Sequence, residues 1–333
     1  MGEDAMLLNG QDPAAIARAA QALADGALVA LPTETVYGLG ARADSDAAVA
    51  QIFAAKGRPA DHPLIVHVLD VADAERFAQD LPPVARRLMQ AFWPGPLTVI
   101  VPRAAGMAAA AAGGQGSIGL RCPAHPVARA LLAEARKLGV LGVAAPSANR
   151  FGRVSPTSAQ HVLSEFEPGL LVLDGGDCEV GIESSIVDCS RGHPVLLRPG
   201  VLTEAEIAAV AGEPLAPRDA AAPRASGTLA AHYAPSAVVR LLAPAELQAA
   251  LSKETPHALA VYSRTVAVPQ GLLQRVMPRH ARAAAQELFA VLRALDAQGA
   301  REIWIETPPA DAAWDGVRDR LSRAAAAFSD SAS

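Results

Sequence analysis

The stretch GALVALPTETVYGLG, residues 26–40, decides how the rest of the chain reads. Five apolar residues, Ala27 to Leu31, are stopped by Pro32, which reads as a short strand running into a turn. Two threonines, a glutamate and a tyrosine then crowd into positions 33–37, and Gly38 and Gly40 close the segment. A plain connector needs a proline and a glycine, not this density of hydrogen-bonding side chains. The stretch therefore reads as a strand whose end carries polar work, the position at which open α/β sheets hold ligands.

The same pattern recurs outward from it. Residues 12–24 read as a helix, with Asp12 at the N-cap and Pro13 in the first position. Helix-like spacing at 45–55 precedes an apolar strand at 64–69, and helical spacing returns at 82–91. Strands are predicted at 96–102 and 117–121, a helix at 125–138, and at 142–149 a strand that ends as a polar loop. Strands at 170–176 and 184–189 lead to PVLLRPG and a helix from Thr203. Strands alternating with helices predict an α/β domain over 1–212. Residues 213–236 carry four prolines and no period, the composition of a linker. Strands at 237–242, 258–262 and 301–305, with helices at 281–298 and 314–327, predict a second, small α/β domain over 237–333.

A length of 333 residues also favours two domains over one core. The chain is 51% hydrophobic and 19% charged, an ordinary soluble balance. A net charge of −5 with 4% aromatics argues against a life on nucleic-acid backbones, which ask for basic faces and stacking platforms. Cys122, Cys178 and Cys189 form no CxxC pair and read as plain buried thiols. No run of 18 apolar residues is present, and the N-terminus has acids where a signal peptide has lysine or arginine. The expectation is a cytoplasmic protein with no membrane partner.

Four polar clusters interrupt the apolar strands. The first is the opening stretch. The second is KGRPADHPLIVH, with Lys56, Arg58, His62 and His67; the third joins SIGLR to APSANRFGRVSPT, with Ser117, Arg121, Ser147, Asn149 and Ser155. The fourth is GIESSIVD with LLRPG, holding Ser184, Ser185 and Arg198. Lys56, Arg58, Arg121 and Arg198 supply four cations among hydroxyls and glycines. Arginine forks suit phosphate and carboxylate, and small residues let backbone N–H groups approach an anion. This set suits a nucleoside triphosphate beside a carboxylate-bearing substrate. No GxxxxGK[ST] loop and no GxGxxG is present, so a nucleotide site here is of another build. Singly, each residue has a plain explanation: solvated cations at 56 and 58, a core histidine at 67, turn-capping threonines at 33 and 35. Ser147 lacks the GxSxG surroundings of a nucleophile.

In order and spacing these clusters resemble the YrdC-like family of threonylcarbamoyl-AMP synthases over residues 12–212. PTETVYGLG, KGRP with PLIVH, WPGPLT, LRCPAHP, APSAN with SPT, GIESSIVD and LRPG all match the family's pattern. Its KxR and SxN signature stands as Lys56-Gly57-Arg58 and Ser147-Ala148-Asn149. HYAP at 232–235 and DGVRDRLSRAA at 315–325 resemble the longer, two-domain branch. The resemblance implies a twisted mixed-sheet catalytic domain plus a Rossmann-like C-terminal domain. It implies condensation of L-threonine, bicarbonate (or CO2) and ATP to threonylcarbamoyl-AMP and pyrophosphate, for t6A modification of tRNA by a downstream transfer complex.

By the same resemblance Thr35, His67, Arg121, Ala145 and Ser184 bind threonine, Arg121 taking its carboxylate. Lys56, Arg58, His62, Ser117, Ser147, Asn149, Ser155 and Arg198 surround ATP and bicarbonate, and Lys56 and Arg58 are the catalytic pair. Tyr233 closes over the nucleotide. On this reading Thr33, Thr35 and Tyr37 wall the substrate pocket and Glu34 orients them. His62 departs from the family's usual asparagine and brings a bulkier, ionisable ring. Magnesium is expected with ATP, held by phosphates and water, because no carboxylate cluster marks a protein cage. Two rivals are weighed. One is a double-stranded RNA-binding, translation-associated module, with weak RNA binding on a basic face. The other is a carbamoyltransferase of the hydrogenase-maturation kind, whose acylphosphatase and zinc-finger segments this sequence lacks.

Overall fold

A computed structural model describes residues 6–253 and 256–328. Their contacts divide them into two compact units, one running to Phe151 and resuming at Ser155–Thr228, the other made of Gly152–Val154 and the chain from Leu229.

The first unit is built on a ten-stranded mixed sheet. Its strands are β1 (Met6–Asn9), β2 (Val29–Leu31), β3 (Gly38–Arg42), β4 (Ile65–His67), β5 (Leu97–Pro102), β6 (Ser117–Arg121), β7 (Val143–Ala144), β8 (Leu171–Asp174), β9 (Ser185–Asp188) and β10 (Val195–Arg198). Their spatial order is β1-β8-β2-β3-β7-β4-β6-β5-β9-β10. β4 and β6 run parallel with His67 opposite Arg121, and β5 runs parallel to β9. The helices are α1 (Pro13–Ala24), α2 (Asp46–Lys56), α3 (Val71–Phe77), α4 (Pro83–Phe92), α5 (Pro126–Lys137), α6 (Ala159–Leu163) and α7 (Glu204–Ala211).

Alternation along β2 shows how the sheet is covered. Val29 and Leu31 join a core cluster with Ile16, Leu23, Leu131 and Leu132 of α1 and α5. Ala30 between them joins the other cluster, with Ile52 of α2 and Leu88 of α4. Successive strand residues face opposite sides, so helices cover both faces. A fully buried leucine such as Leu23 contributes about 1.5–3 kcal/mol here.

The cap of α1 is where the sequence places it, and the structure adds caps at α7 and α2. Asp12 accepts the Ala14 N–H at 2.9 Å, with Pro13 opening α1. Thr203 and Glu206 form a reciprocal capping box at α7. α2 ends at Gly57 in the left-handed region, φ 63°, which puts Lys56 in its last turn and Arg58 just beyond.

GLGAR is a strand rather than the close of a loop. Gly38 and Gly40 are there for space. A Cβ on Gly40 would stand 2.8 Å from Val143 Cγ1 and 2.9 Å from Leu31 Cδ2, and one on Gly38 would stand 3.0 Å from the Ala145 Cβ. β1, α3 and α6 are further elements that the periodicity did not reveal.

The second unit has a four-stranded, all-parallel sheet of β11 (Val238–Leu242), β12 (Leu259–Ser263), β13 (Leu273–Val276) and β14 (Glu302–Glu306), ordered β11-β14-β12-β13. Helices α8 (Pro244–Leu251), α9 (Ala281–Ala297) and α10 (Asp315–Ala326) accompany it. Among the described residues no helix is long and apolar enough to cross a membrane.

Candidate active site

The PTETVY loop is a bonded scaffold. Arg121, at the end of β6, donates from Nη2 to Glu34 Oε1 at 2.6 Å, from Nη1 to Thr35 Oγ1 at 2.8 Å and from Nε to the Gly95 carbonyl at 3.3 Å. The order of donors follows. Thr33 Oγ1 donates to the Val36 carbonyl at 2.6 Å, so Thr35 donates to Thr33 across 2.9 Å while accepting from Arg121. Glu34 Oε2 accepts the Ala124 N–H at 3.0 Å. Burial alone raises the Glu34 carboxyl. The Arg121 charge and hydrogen bond, with the backbone amides, outweigh it and hold the group below the usual carboxylate range.

His67 lies beside Arg121 in the β4–β6 register and is 3% exposed. Burial, then the Arg121 charge, lowers its imidazole to about 3, so the ring is neutral at physiological pH. Its Nδ1 is buried without a hydrogen-bond partner among the described residues. Ala145, in the loop after β7, donates its N–H to the Ile65 carbonyl at 3.0 Å, next to this group.

Tyr37 is a strut rather than a pocket wall. Its hydroxyl donates to the Gly176 carbonyl at 2.8 Å and accepts the Gly175 N–H at 3.1 Å. Its backbone N–H binds the Pro156 carbonyl and its carbonyl accepts the Ala148 N–H, so the loop ties 146–156 in place. Thr33 caps the turn, the plain reading of its type.

Lys56 is 3% exposed and donates to the Ser147 carbonyl at 2.5 Å and to the Asn149 carbonyl. Burial, then the Arg58 charge, pushes its ammonium well below the ordinary lysine value, against the pull of Glu165 and Glu183. Asn149 donates to the Arg150 carbonyl at 2.8 Å, and Ser155 to Glu183 Oε1 at 2.5 Å. Arg58 donates to the Pro63 carbonyl at 3.0 Å and stands 5.9 Å from the Phe151 ring centroid. His62 faces the same ring at 5.5 Å, and burial followed by Arg58 lowers its imidazole too.

A third group forms on β9 and β10. Ser184 Oγ lies 2.8 Å from Thr98 Oγ1 and accepts from Arg198 Nη2 at 3.3 Å, while Arg198 Nε donates to the Ser184 carbonyl at 3.0 Å. Ser226 joins this group to the second: Arg58 Nη2 donates to its hydroxyl at 3.4 Å and Arg198 Nη1 to its carbonyl at 2.9 Å. The segment read as a linker thus lies, up to Thr228, on the first unit. It also borders a groove of about 370 Å³ between Ala221, Pro223, Gln115, Ser117 and Arg191, reached by Ser117 alone of the expected residues.

Tyr233 belongs to the second unit. It is fully buried with φ 62°, its ring 5.4 Å from Phe289 and 5.5 Å from the Arg320 guanidinium. Cys122, Cys178 and Cys189 are buried, unpaired thiols whose pKa values burial raises, Cys189 to about 12.

Residues 21–200 match the sequence profile of the Sua5, YciO and YrdC proteins, described as "Telomere recombination". Residues 202–326 match that of the "Threonylcarbamoyl-AMP synthase, C-terminal domain". The chain belongs to the threonylcarbamoyl-AMP synthase family. It is 43% identical over 227 residues to the Pyrococcus abyssi threonylcarbamoyl-AMP synthase, covering 66% of each chain. With that of Bacillus subtilis it shares 42% over 236 residues, 69% of this chain and 67% of the relative. A crystal structure of P. abyssi Sua5 complexed with L-threonine matches with a TM-score of 0.87 at 34% identity, over 97% of both chains.

Within this two-domain family member, four contributors escaped the sequence reading: Thr98, Glu183, Phe151 and Ser226. Thr98 and Glu183 sit inside motifs already singled out and were passed over for their neighbours. Phe151 follows the SAN loop, and Ser226 stands in a stretch with no period to mark it.

Proposed function

We propose that this protein is an L-threonylcarbamoyladenylate synthase, a nucleotidyltransferase acting on L-threonine, bicarbonate or CO2, and MgATP. The observation that supports it most is the pairing, at adjacent strand ends, of a buried guanidinium with a neutral imidazole, Arg121 and His67. A fixed cation beside an uncharged nitrogen suits an amino acid held by its carboxylate, with its amine or hydroxyl at the imidazole. The P. abyssi relative solved with L-threonine supports the same choice.

The chemistry asks for positioning and charge neutralisation. Threonine's neutral amine and bicarbonate give a carbamate and water. A carbamate oxygen then bonds to the α-phosphorus, the bond from that phosphorus to the β-bridging oxygen breaks, and pyrophosphate leaves. Arg121, with Thr35, His67, Ala145 and Ser184, orients threonine. Lys56, Arg58 and Arg198 neutralise phosphate charge, with Ser117, Ser147, Asn149, Ser155 and His62 around the nucleotide. Tyr233 is a proposed nucleotide contact on the family pattern alone.

Magnesium arrives as part of the substrate. Among the described residues no group of three His, Cys, Asp or Glu side chains is placed to hold a metal ion. Glu34, Glu165 and Glu183 are already engaged by Arg121, the Arg150 N–H and Ser155. The product feeds a tRNA threonylcarbamoyl-transfer complex, and the site of action is the cytoplasm. The RNA-binding alternative draws no support from the relatives, whose names are those of synthases.

The test is pyrophosphate release from MgATP with threonine and bicarbonate supplied singly and together. Release is expected only with both. Orthophosphate release, or indifference to threonine, overturns the assignment.

A further inference from the structure

Within the first unit, one hydroxyl that the family pattern does not assign touches a residue that it does. Thr98 of β5 has no exposed surface, and its Oγ1 lies 2.8 Å from the Oγ of Ser184, itself 1% exposed. Ser184 Oγ also accepts from Arg198 Nη2 at 3.3 Å. Among the described residues neither hydroxyl has a further partner. Gly119 on the neighbouring β6 leaves room for the threonine, because a Cβ there would stand 3.3 Å from Thr98 Cγ2.

The pair has one proton to spare. Two hydroxyls carry two protons, and the bond between them uses one. Arg198 only donates, so it takes neither. The remaining proton has no acceptor among the described residues, at a depth where an unmet donor costs about 1–3 kcal/mol. A buried donor kept at that cost calls for a function. With Thr98 donating, both lone pairs of Ser184 are filled, by Thr98 and by Arg198, and its own proton is free for a ligand. Two donors on one oxygen also polarise its O–H and strengthen it as a donor.

We propose that Thr98 is a positioning residue that makes Ser184 a donor only, so that Ser184 meets an oxygen of the bound amino acid, its hydroxyl or its carboxylate, and not its amine. The reverse order, with Ser184 donating to Thr98, would leave Ser184 a lone pair for the amine. This inference rests on the synthase reading, which puts Ser184 at threonine, and adds the group that sets its proton.

The full-length protein is compared with Thr98→Val, Thr98→Ser, Ser184→Ala and the double variant Thr98→Val with Ser184→Ala, by steady-state pyrophosphate release and thermal unfolding. Valine keeps the shape and suits a strand. Thr98→Val is expected to raise the KM for threonine about fivefold while that for ATP stays within about twofold. Thr98→Ser, which keeps the hydroxyl, recovers most of the loss. In the Ser184→Ala background Thr98→Val should add less than about twofold, because Thr98 acts through Ser184. Two competitive inhibitors identify the acceptor. (R)-3-Hydroxybutyrate lacks the amine, and L-valine lacks the hydroxyl. Thr98→Val should weaken hydroxybutyrate about fivefold; it weakens valine equally if the carboxylate is the acceptor and leaves valine unchanged if the hydroxyl is. Valine weakened with hydroxybutyrate unchanged places Ser184 at the amine and overturns the inference. So does a folded Thr98→Val with wild-type KM for threonine, an equal rise in both KM values, or a fully additive double variant. If Thr98→Val does not fold, Thr98→Ala is read in its place. A wild-type protein that releases no threonine-dependent pyrophosphate fails the synthase reading before any variant is compared.

Discussion

Arg121 and Glu34 form a buried ion pair, Nη2 to Oε1 at 2.6 Å, with 4% and 7% of their side chains exposed. In this state the guanidinium expected to receive the substrate carboxylate already faces a carboxylate of the protein. The pair keeps the arginine neutralised and aimed, because Thr35 and the Gly95 carbonyl fix it from two further directions.

Removing one partner leaves a buried charge uncompensated. Glu34→Ala should destabilise the protein by about 3–5 kcal/mol, read as a lowered urea midpoint, and Glu34→Gln by less, since it keeps an acceptor. Arg121→Ala should raise the threonine requirement about tenfold or more while barely moving that for ATP. Calorimetry that finds both ligands weakened equally would show this division of the site to be wrong.

Arg58 and Arg198 meet at Ser226, and the prediction there concerns ATP. Arg58→Ala should weaken ATP-dependent turnover about tenfold, roughly 1.4 kcal/mol, since charge-assisted phosphate contacts are worth about 1.5–3 kcal/mol. Ser226→Ala removes only the 3.4 Å hydroxyl contact and leaves the carbonyl on Arg198, so its effect should stay below about threefold. A Ser226→Ala loss as large as that of Arg58→Ala would make the hydroxyl a ligand in its own right.

His67 predicts an acid limb in stability. Its folded pKa of about 3 lies below the ordinary 6.5, so the unfolded chain binds a proton that the folded protein refuses. The contribution is therefore fully present above pH 6.5 and is lost as pH falls toward 3, with a slope of up to about 1.4 kcal/mol per pH unit. Urea unfolding between pH 6.5 and 4.5, where most carboxylates remain ionised, should show it. His67→Gln should flatten that window, and an unchanged slope would remove His67 as its source.

What the sequence disclosed was local. Asp12 and Pro13 announce α1, Thr203 and Glu206 announce α7, and apolar runs mark β4, β5 and β8, because these signals lie within a few residues of what they build. β3 stayed hidden since glycine is a poor strand former, and the need for it comes from Val143, more than 100 residues away. The site divides in the same way. The four cations were legible by type. Their partners were not: Glu34 stands 87 residues from Arg121, and Ser226 stands 168 from Arg58. Tyr37 misled for the opposite reason, a polar tip in a polar motif whose hydroxyl proves to hold Gly175 and Gly176.

Residues 213–228 are held on the first unit by several bonds, and the two at Arg224 should differ in strength. Gln115 grips the backbone of Arg224 at both ends, accepting its N–H at 2.8 Å and donating to its carbonyl at 3.1 Å. The Arg224 side chain pairs with Asp61 at 2.6 Å, but 50% and 62% of the two side chains are exposed. An exposed pair contributes about 0–1 kcal/mol and is screened by salt, whereas two amide bonds contribute about 1 kcal/mol each and are not. Gln115→Ala should therefore speed proteolysis within 215–226 more than Arg224→Ala does. High salt should shrink the effect of Arg224→Ala to the share of its Nη2 bond to the Gly113 carbonyl, 3.3 Å, and leave that of Gln115→Ala. Neither change should lower the global unfolding midpoint appreciably, because the bonds removed are solvent-exposed, while Leu215, Ala216, Ala222 and Ala225 still pack on the core. The measurement is the cleavage rate of each variant at low and high salt. A larger effect from Arg224→Ala, lost in high salt, would place the latch on the ion pair instead of the amide.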